Sequence, residues 1–258
     1  MRVNLTDGGE KGLKCTTYES AFEPAWSSEV CPWDKIPKDE LIVGKPPIKT
    51  RTKTFEDLEK LALDGLNYHW GRNKNHAIAK DVKINEEAYE VYVNGMNTEI
   101  NHINSMVLIY NTNNDWGRSD NPGVLARTFY NVGYLEFSDG WGYDTEEKEE
   151  KDFKLTATHE LGHTILESYG GVTYSWQHKG SSYLFPQDEK PVKGNEAFID
   201  FFKKDNMKEY FGEYYPREGE IDLMKYYNDE PNPKDFSRIV ASEKDILSLI
   251  WLTKLKID

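Results

Sequence analysis

His159 and His163, four residues apart with Glu160 between them in TATHELGHTILESYGG (156–171), are the side chains of this sequence best suited to do chemistry. On a helix, positions i and i+4 share a face with Cβ atoms roughly 5–6 Å apart, so both imidazoles can reach one tetrahedral zinc ion. Glu160, one position on from the first histidine, points to the adjacent side, where it can take a proton from a water at the metal. Two nitrogen ligands and a general base are the parts of a metal-dependent hydrolase. A buried helix with two structural histidines would read the same over these five residues, so the rest of the chain has to separate the two.

A third ligand is needed. The long pattern HExxHxxGxxH is excluded, because position 166 is Leu and position 169 is Tyr. Three donors remain open: His178 in SWQHKGSS, Glu196 in GNEAFID and Glu220 in GEIDLMKYY. Glu196 with Asp200 fits an NExxxD pattern in which the glutamate binds zinc and the aspartate orients a histidine. Glu220 precedes Met224 and Tyr226, whose spacing resembles the methionine turn that lies beneath metzincin zinc sites. Met224 is then a soft floor under the histidines, and the Tyr226 hydroxyl a donor to the oxyanion of a tetrahedral intermediate. His178 is as well suited to be a transition-state donor as a ligand.

The elements that must position these groups follow from pattern. Thr54 and Asp57 make a capping box ahead of FEDLEKLALDGLNYHWG, a helix of about four turns. From 81 to 137 the runs DVKINEEAYEVYVNG, NSMVLIYNTN and ARTFYNVGYLEF are β-branched and aromatic, and predict three strands in one sheet. The strand near 128–138 is a candidate edge for pairing with an extended peptide. The acidic run TEEKEEKD (145–152) reads as the solvated first turn of the helix that carries the two histidines. Phe153, Ala157, Leu161 and Ile165 give that helix an apolar stripe apart from the histidine line, and Gly170–Gly171 ends it. A strand or hairpin over 172–186, a helix over 195–211 and a final helix capped by Ser242 complete the chain.

Residues 1–50 are rich in Pro, Ser, Gly and charge and read as an extended arm or lid. The expected organisation is one domain over 1–258: this arm, a helix and β-rich subregion over 51–144, and the histidine-bearing helix with the C-terminal subregion over 145–258. At 258 residues the chain can bury a sizeable core without a metal, which points to a functional rather than a structural ion. With 45 acidic against 32 basic side chains, the net charge of −13 repels nucleic acid and anionic membranes. No run of 18 apolar residues exists, and MRVNLTDGGEKGLK lacks the apolar core of a signal peptide. Cys15 and Cys31, 16 residues apart, read either as a disulfide, which would imply an oxidising destination, or as two separate thiols.

HELGHTILESYGG with YSWQHKGSS, GEIDLMKYY and the closing ASEKDILSLIWLTKL resembles the zinc metallopeptidase toxin domains of bacterial polymorphic toxins, best known fused to the VgrG spike proteins of type VI secretion. The resemblance covers roughly 150–258 and, more weakly, DGLNYHWGR. It implies an α+β zincin-like fold, a small mixed sheet packed on the HExxH helix with further helices C-terminal. It implies one zinc ion per chain held by His159, His163 and Glu220, with Glu160 as base. It also implies delivery through a spike partner, action in the target cell's periplasm on a peptide or protein substrate, and a cognate immunity protein. A non-catalytic binding module on the same scaffold and a peptidoglycan peptide hydrolase are the competing expectations.

Overall fold

The computed structural model describes residues 1–19, 27–122, 125–138, 140–176, 216–225, 227 and 235–253. In chain order the elements are β1 (Arg2–Lys11), β2 (Thr16–Glu19), β3 (Ser27–Val30), α1 (Phe55–His69), β4 (Val82–Ile84), β5 (Glu87–Tyr89) and β6 (Met96–Asn97). They continue with β7 (Ser105–Asp115), β8 (Ala126–Phe137), β9 (Gly140–Asp144), α2 (Glu146–Trp176), β10 (Ile221–Asp222), β11 (Ile239–Val240) and α3 (Glu243–Leu252). The protein is a mixed α and β structure with a central mixed sheet. It divides into two compact units, Met1–Asn67 with Asn94–Leu161, and Tyr68–Val93 with Gly162–Asp258. Among the described residues no helix is long and apolar enough to cross a membrane.

The first unit is built on a five-stranded sheet in the order β6-β1-β7-β8-β9. β1, β6, β7 and β8 run parallel, and β9 returns antiparallel on β8 as the outer strand. β7 and β8 read as near-continuous buried runs, as strands of an interior sheet do. The opening residues are therefore not an arm: Arg2–Lys11 is an interior strand. The pattern hides this because only Val3 and Leu5 of the ten are buried, and the rest are polar or glycine. Residues beyond β1 do run over the sheet. Tyr134 of β8 accepts from the Ile42 N–H and donates to the Lys45 carbonyl, and Thr52 and Tyr110 share a hydroxyl hydrogen bond. Cys15 and Cys31 are joined in a disulfide across the β2–β3 hairpin.

Helix α1 begins as its sequence dictates, with the Thr54 N–H donating to Asp57 Oδ2 and the Asp57 N–H donating to Thr54 Oγ1. The stretch 81–90 forms a separate β4–β5 hairpin rather than a strand of the main sheet, with Asn85 and Glu86 at positive φ in its turn. β8 is not an edge strand either. β9 pairs with it over Gly133–Phe137, and Asp120 bridges it at Arg127, so the outer edge of the sheet belongs to β9. In the second unit, α3 starts on Ser242, whose side chain accepts from the Asp245 N–H, and β10 and β11 pair in parallel just before it.

Candidate metal centre

α2 enters through an acidic first turn and carries the motif in its middle. Phe153, Ala157, Leu161 and Ile165 are all buried, as the stripe predicts. The motif side is buried too: His159, Glu160 and His163 are 8%, 6% and 8% exposed. The entry turn departs from its reading as a solvated run. Glu147 pairs with Lys151, and Glu146 and Glu150 with Lys53, but Glu149 is buried, with its carboxyl pushed up to about 10 by desolvation and by the facing Asp144. Asp152 is pushed up to about 6, chiefly by burial.

Gly171 breaks the helix with φ 81 and ψ 174, a conformation open to glycine and costly for other residues. The chain folds back there and stays helical over 172–176, where a strand or hairpin is the sequence expectation. This return brings Ser175 onto His163. The His163 Nδ1 lies 3.0 Å from the Ser175 carbonyl and 3.1 Å from its Oγ, and the Oγ itself donates to the His163 carbonyl at 2.7 Å. A carbonyl can only accept, so Nδ1 carries a ring proton, and in the neutral imidazole the lone pair is then on Nε2. That is the tautomer and the outer contact typical of a metal-ligating histidine.

Gly162, inside the motif, sits against Met224 and Trp70. A Cβ added there would meet Met224 Sδ at 2.4 Å and Trp70 Cζ2 at 3.0 Å. Met224 thus packs against Gly162. It is delivered by β10, with the Leu223 N–H donating to the Val240 carbonyl and the Met224 N–H to Asp222 Oδ1.

Glu160 is held from its own backbone outward, because the Asn121 amide donates to its carbonyl at 2.5 Å. Its carboxyl is pushed up to about 8, first by burial and then by Asp120, with Arg118 opposing. A carboxylate tuned toward neutrality is matched to taking and returning a proton.

The remaining sequence-derived residues fare differently. Both Glu220 oxygens accept from Arg72, at 2.9 Å from Nη1 and 2.5 Å from Nη2, and the same guanidinium donates to the Asp81 and Ala241 carbonyls. As placed, Glu220 is committed to Arg72. Among the described residues, the one trio of His, Cys, Asp or Glu side chains close enough to share a metal is Cys15, Glu29 and Cys31, whose sulfurs form the disulfide. His178, Glu196, Asp200 and Tyr226 lie outside the described residues, as does the expected helix over 195–211.

Sequence reasoning passed over Asn121, Ser175 and Arg72. Asn121 and Ser175 stand in stretches without periodicity, and only DGLNYHWGR hinted at Arg72. The two histidines and the buried tautomer suit a borderline metal such as zinc, and the chemistry of that donor set is the fit the residues offer. Comparison with models of protein families, with curated proteins and with solved structures finds no match to this chain.

Proposed function

We propose that this protein is a zinc-dependent endopeptidase with a zincin-like site, in which His159 and His163 hold the metal and Glu160 is the general base. The observation that carries the reading is the His163–Ser175 contact. It sets an imidazole tautomer suited to ligation within a motif whose spacing already pairs two nitrogens on one helix face. Zinc, when bound, supplies Lewis acidity and makes water a better nucleophile near neutral pH. Glu160 accepts the proton of the attacking water and returns it to the leaving amine, and its raised carboxyl suits both transfers. Tyr226, two residues past Met224, is assigned the oxyanion donor. Glu220, whose two oxygens each accept from Arg72, His178 and Glu196 are the candidates for the third donor. The outer edge of β9, in place of interior β8, is available to pair with an extended peptide.

The Cys15–Cys31 disulfide fits an oxidising destination such as a periplasm, and the reading as a type VI toxin with a spike partner and an immunity protein extends from the same motifs. Metal analysis of the purified protein is expected to find about one zinc per chain. Glu160→Gln is expected to keep that zinc and lose ~10²–10⁴-fold in peptide cleavage. Cleavage by zinc-free protein, or full activity in Glu160→Gln, would overturn the proposal. Release of muropeptides from purified cell wall, with no protein cleaved, would move the substrate to peptidoglycan.

A further inference from the structure

The segment 116–121 is fastened to β8 at nearly every residue. The Trp116 N–H donates to the Glu136 carbonyl, and the Trp116 ring stacks on Phe137. The Asn131 amide donates to the Gly117 carbonyl at 2.9 Å, and Gly117 lies so close to the Phe129 ring that an added Cβ would stand 2.3 Å from it. Ser119 Oγ accepts from the Phe129 N–H at 3.0 Å. Asp120 exchanges two backbone hydrogen bonds with Arg127, and its carboxylate pairs with the Arg127 guanidinium. Asn121 ends the segment on the Glu160 carbonyl.

Arg118 is the exception. It is exposed, and among the described residues it makes no ion pair or side-chain hydrogen bond. A rigid mount ending on Glu160 therefore carries one side chain that it does not use itself, a guanidinium. Asp120, the carboxylate nearest in sequence, is already taken by Arg127. Arg118 stands three residues before Asn121, whose amide sits on the Glu160 carbonyl, in a chain of net charge −13. An exposed guanidinium held on a rigid mount is suited to recognition, because the planar fork binds a carboxylate in two parallel hydrogen bonds.

We infer that Arg118 is a specificity-determining residue that selects substrates carrying a carboxylate beside the reacting bond. The inference rests on the proposed peptidase reading of the same site and adds its substrate class. The carboxylate has two sources, an acidic side chain or a free chain end, and the two predict different products: internal cleavage next to Asp or Glu, or removal of C-terminal residues. In a field that is negative overall, local pairing with Arg118 provides the preference and the distant charge does not.

The test uses the zinc-loaded full chain with quenched peptides of one sequence in which a single Glu is moved or replaced by Gln, each with a free or an amidated C-terminus. Wild type is expected to show KM lower by about tenfold for a carboxylate-bearing peptide at similar kcat. Arg118→Ala removes that difference, read as the ratio of carboxylate-bearing to neutral peptide, and leaves zinc content unchanged, and Arg118→Glu favours a Lys-bearing peptide instead. Loss of the preference on amidation assigns the chain end; its persistence assigns the side chain. A binding arm on Glu160→Gln and Glu160→Gln/Arg118→Ala, read by fluorescence anisotropy without turnover, separates the two layers. Arg118-dependent carboxylate binding with no cleavage by wild type refutes the peptidase and keeps only the carboxylate-binding role of Arg118. Cleavage with the same preference in Arg118→Ala, or with none in wild type, overturns the inference and keeps the peptidase.

Discussion

Glu220→Ala tests whether this carboxylate serves the Arg72 pair or a metal. The Arg72 side chain is 3% exposed and that of Glu220 36%, so the pair is buried on one side and wet on the other. Removing one partner of a fully buried pair costs about 3–5 kcal/mol, most of it the stranded charge. Here water reaches the vacated position, Glu243 Oε1 remains 3.8 Å from Arg72, and two backbone carbonyls still accept from it. The expected loss is therefore smaller, ~1–3 kcal/mol. Urea unfolding in EDTA measures it without any contribution from metal. Arg72→Met, alone and combined with Glu220→Ala, gives the coupling, and the double variant is expected to recover part of the loss. Zinc content of Glu220→Ala at saturating metal is expected to match wild type. Loss of zinc with unchanged stability in EDTA would refute the clamp and make Glu220 the third ligand.

Glu149→Gln tests the buried carboxyl at the start of α2. Its pKa rises from 4.5 to about 10 on folding, so the folded state holds the proton more tightly. Stability from this group is full below pH 4.5 and is lost as pH rises toward 10. Glutamine copies the protonated acid, so the variant is expected to equal wild type near pH 4.5 and exceed it at pH 7, with a ceiling of roughly 3 kcal/mol. A stability difference that does not grow between pH 5 and pH 8 would count against it. Gly162→Ala is expected to lower stability by ~1–3 kcal/mol by driving a methyl group into Met224 and Trp70, with partial rescue by Met224→Ala. Wild-type stability in Gly162→Ala would show that Met224 does not pack there as described.

What could be read in advance was local. The Thr54–Asp57 box, the Ser242 cap, the stripe Phe153–Ala157–Leu161–Ile165 and the stop at Gly170–Gly171 each depend on neighbours within about four residues, and each appears. β1 was hidden because an interior strand needs only Val3 and Leu5 buried once the polar remainder is paired in the sheet. The 81–90 stretch looked like the other β-rich runs, but a turn with two residues at positive φ closes it on itself.

From the sequence alone came the pairing of His159 and His163 around Glu160, because helical spacing fixes which side chains share a face. Only the tertiary structure decided which nitrogen of His163 bears the proton, that Glu149 keeps its own, that Met224 lies under Gly162, and that Glu220 answers to Arg72. The reason is range. Arg72 and Glu220 are 148 residues apart, and whether a carboxylate meets a metal, a guanidinium or another acid depends on which segments the fold brings together and how much water it removes.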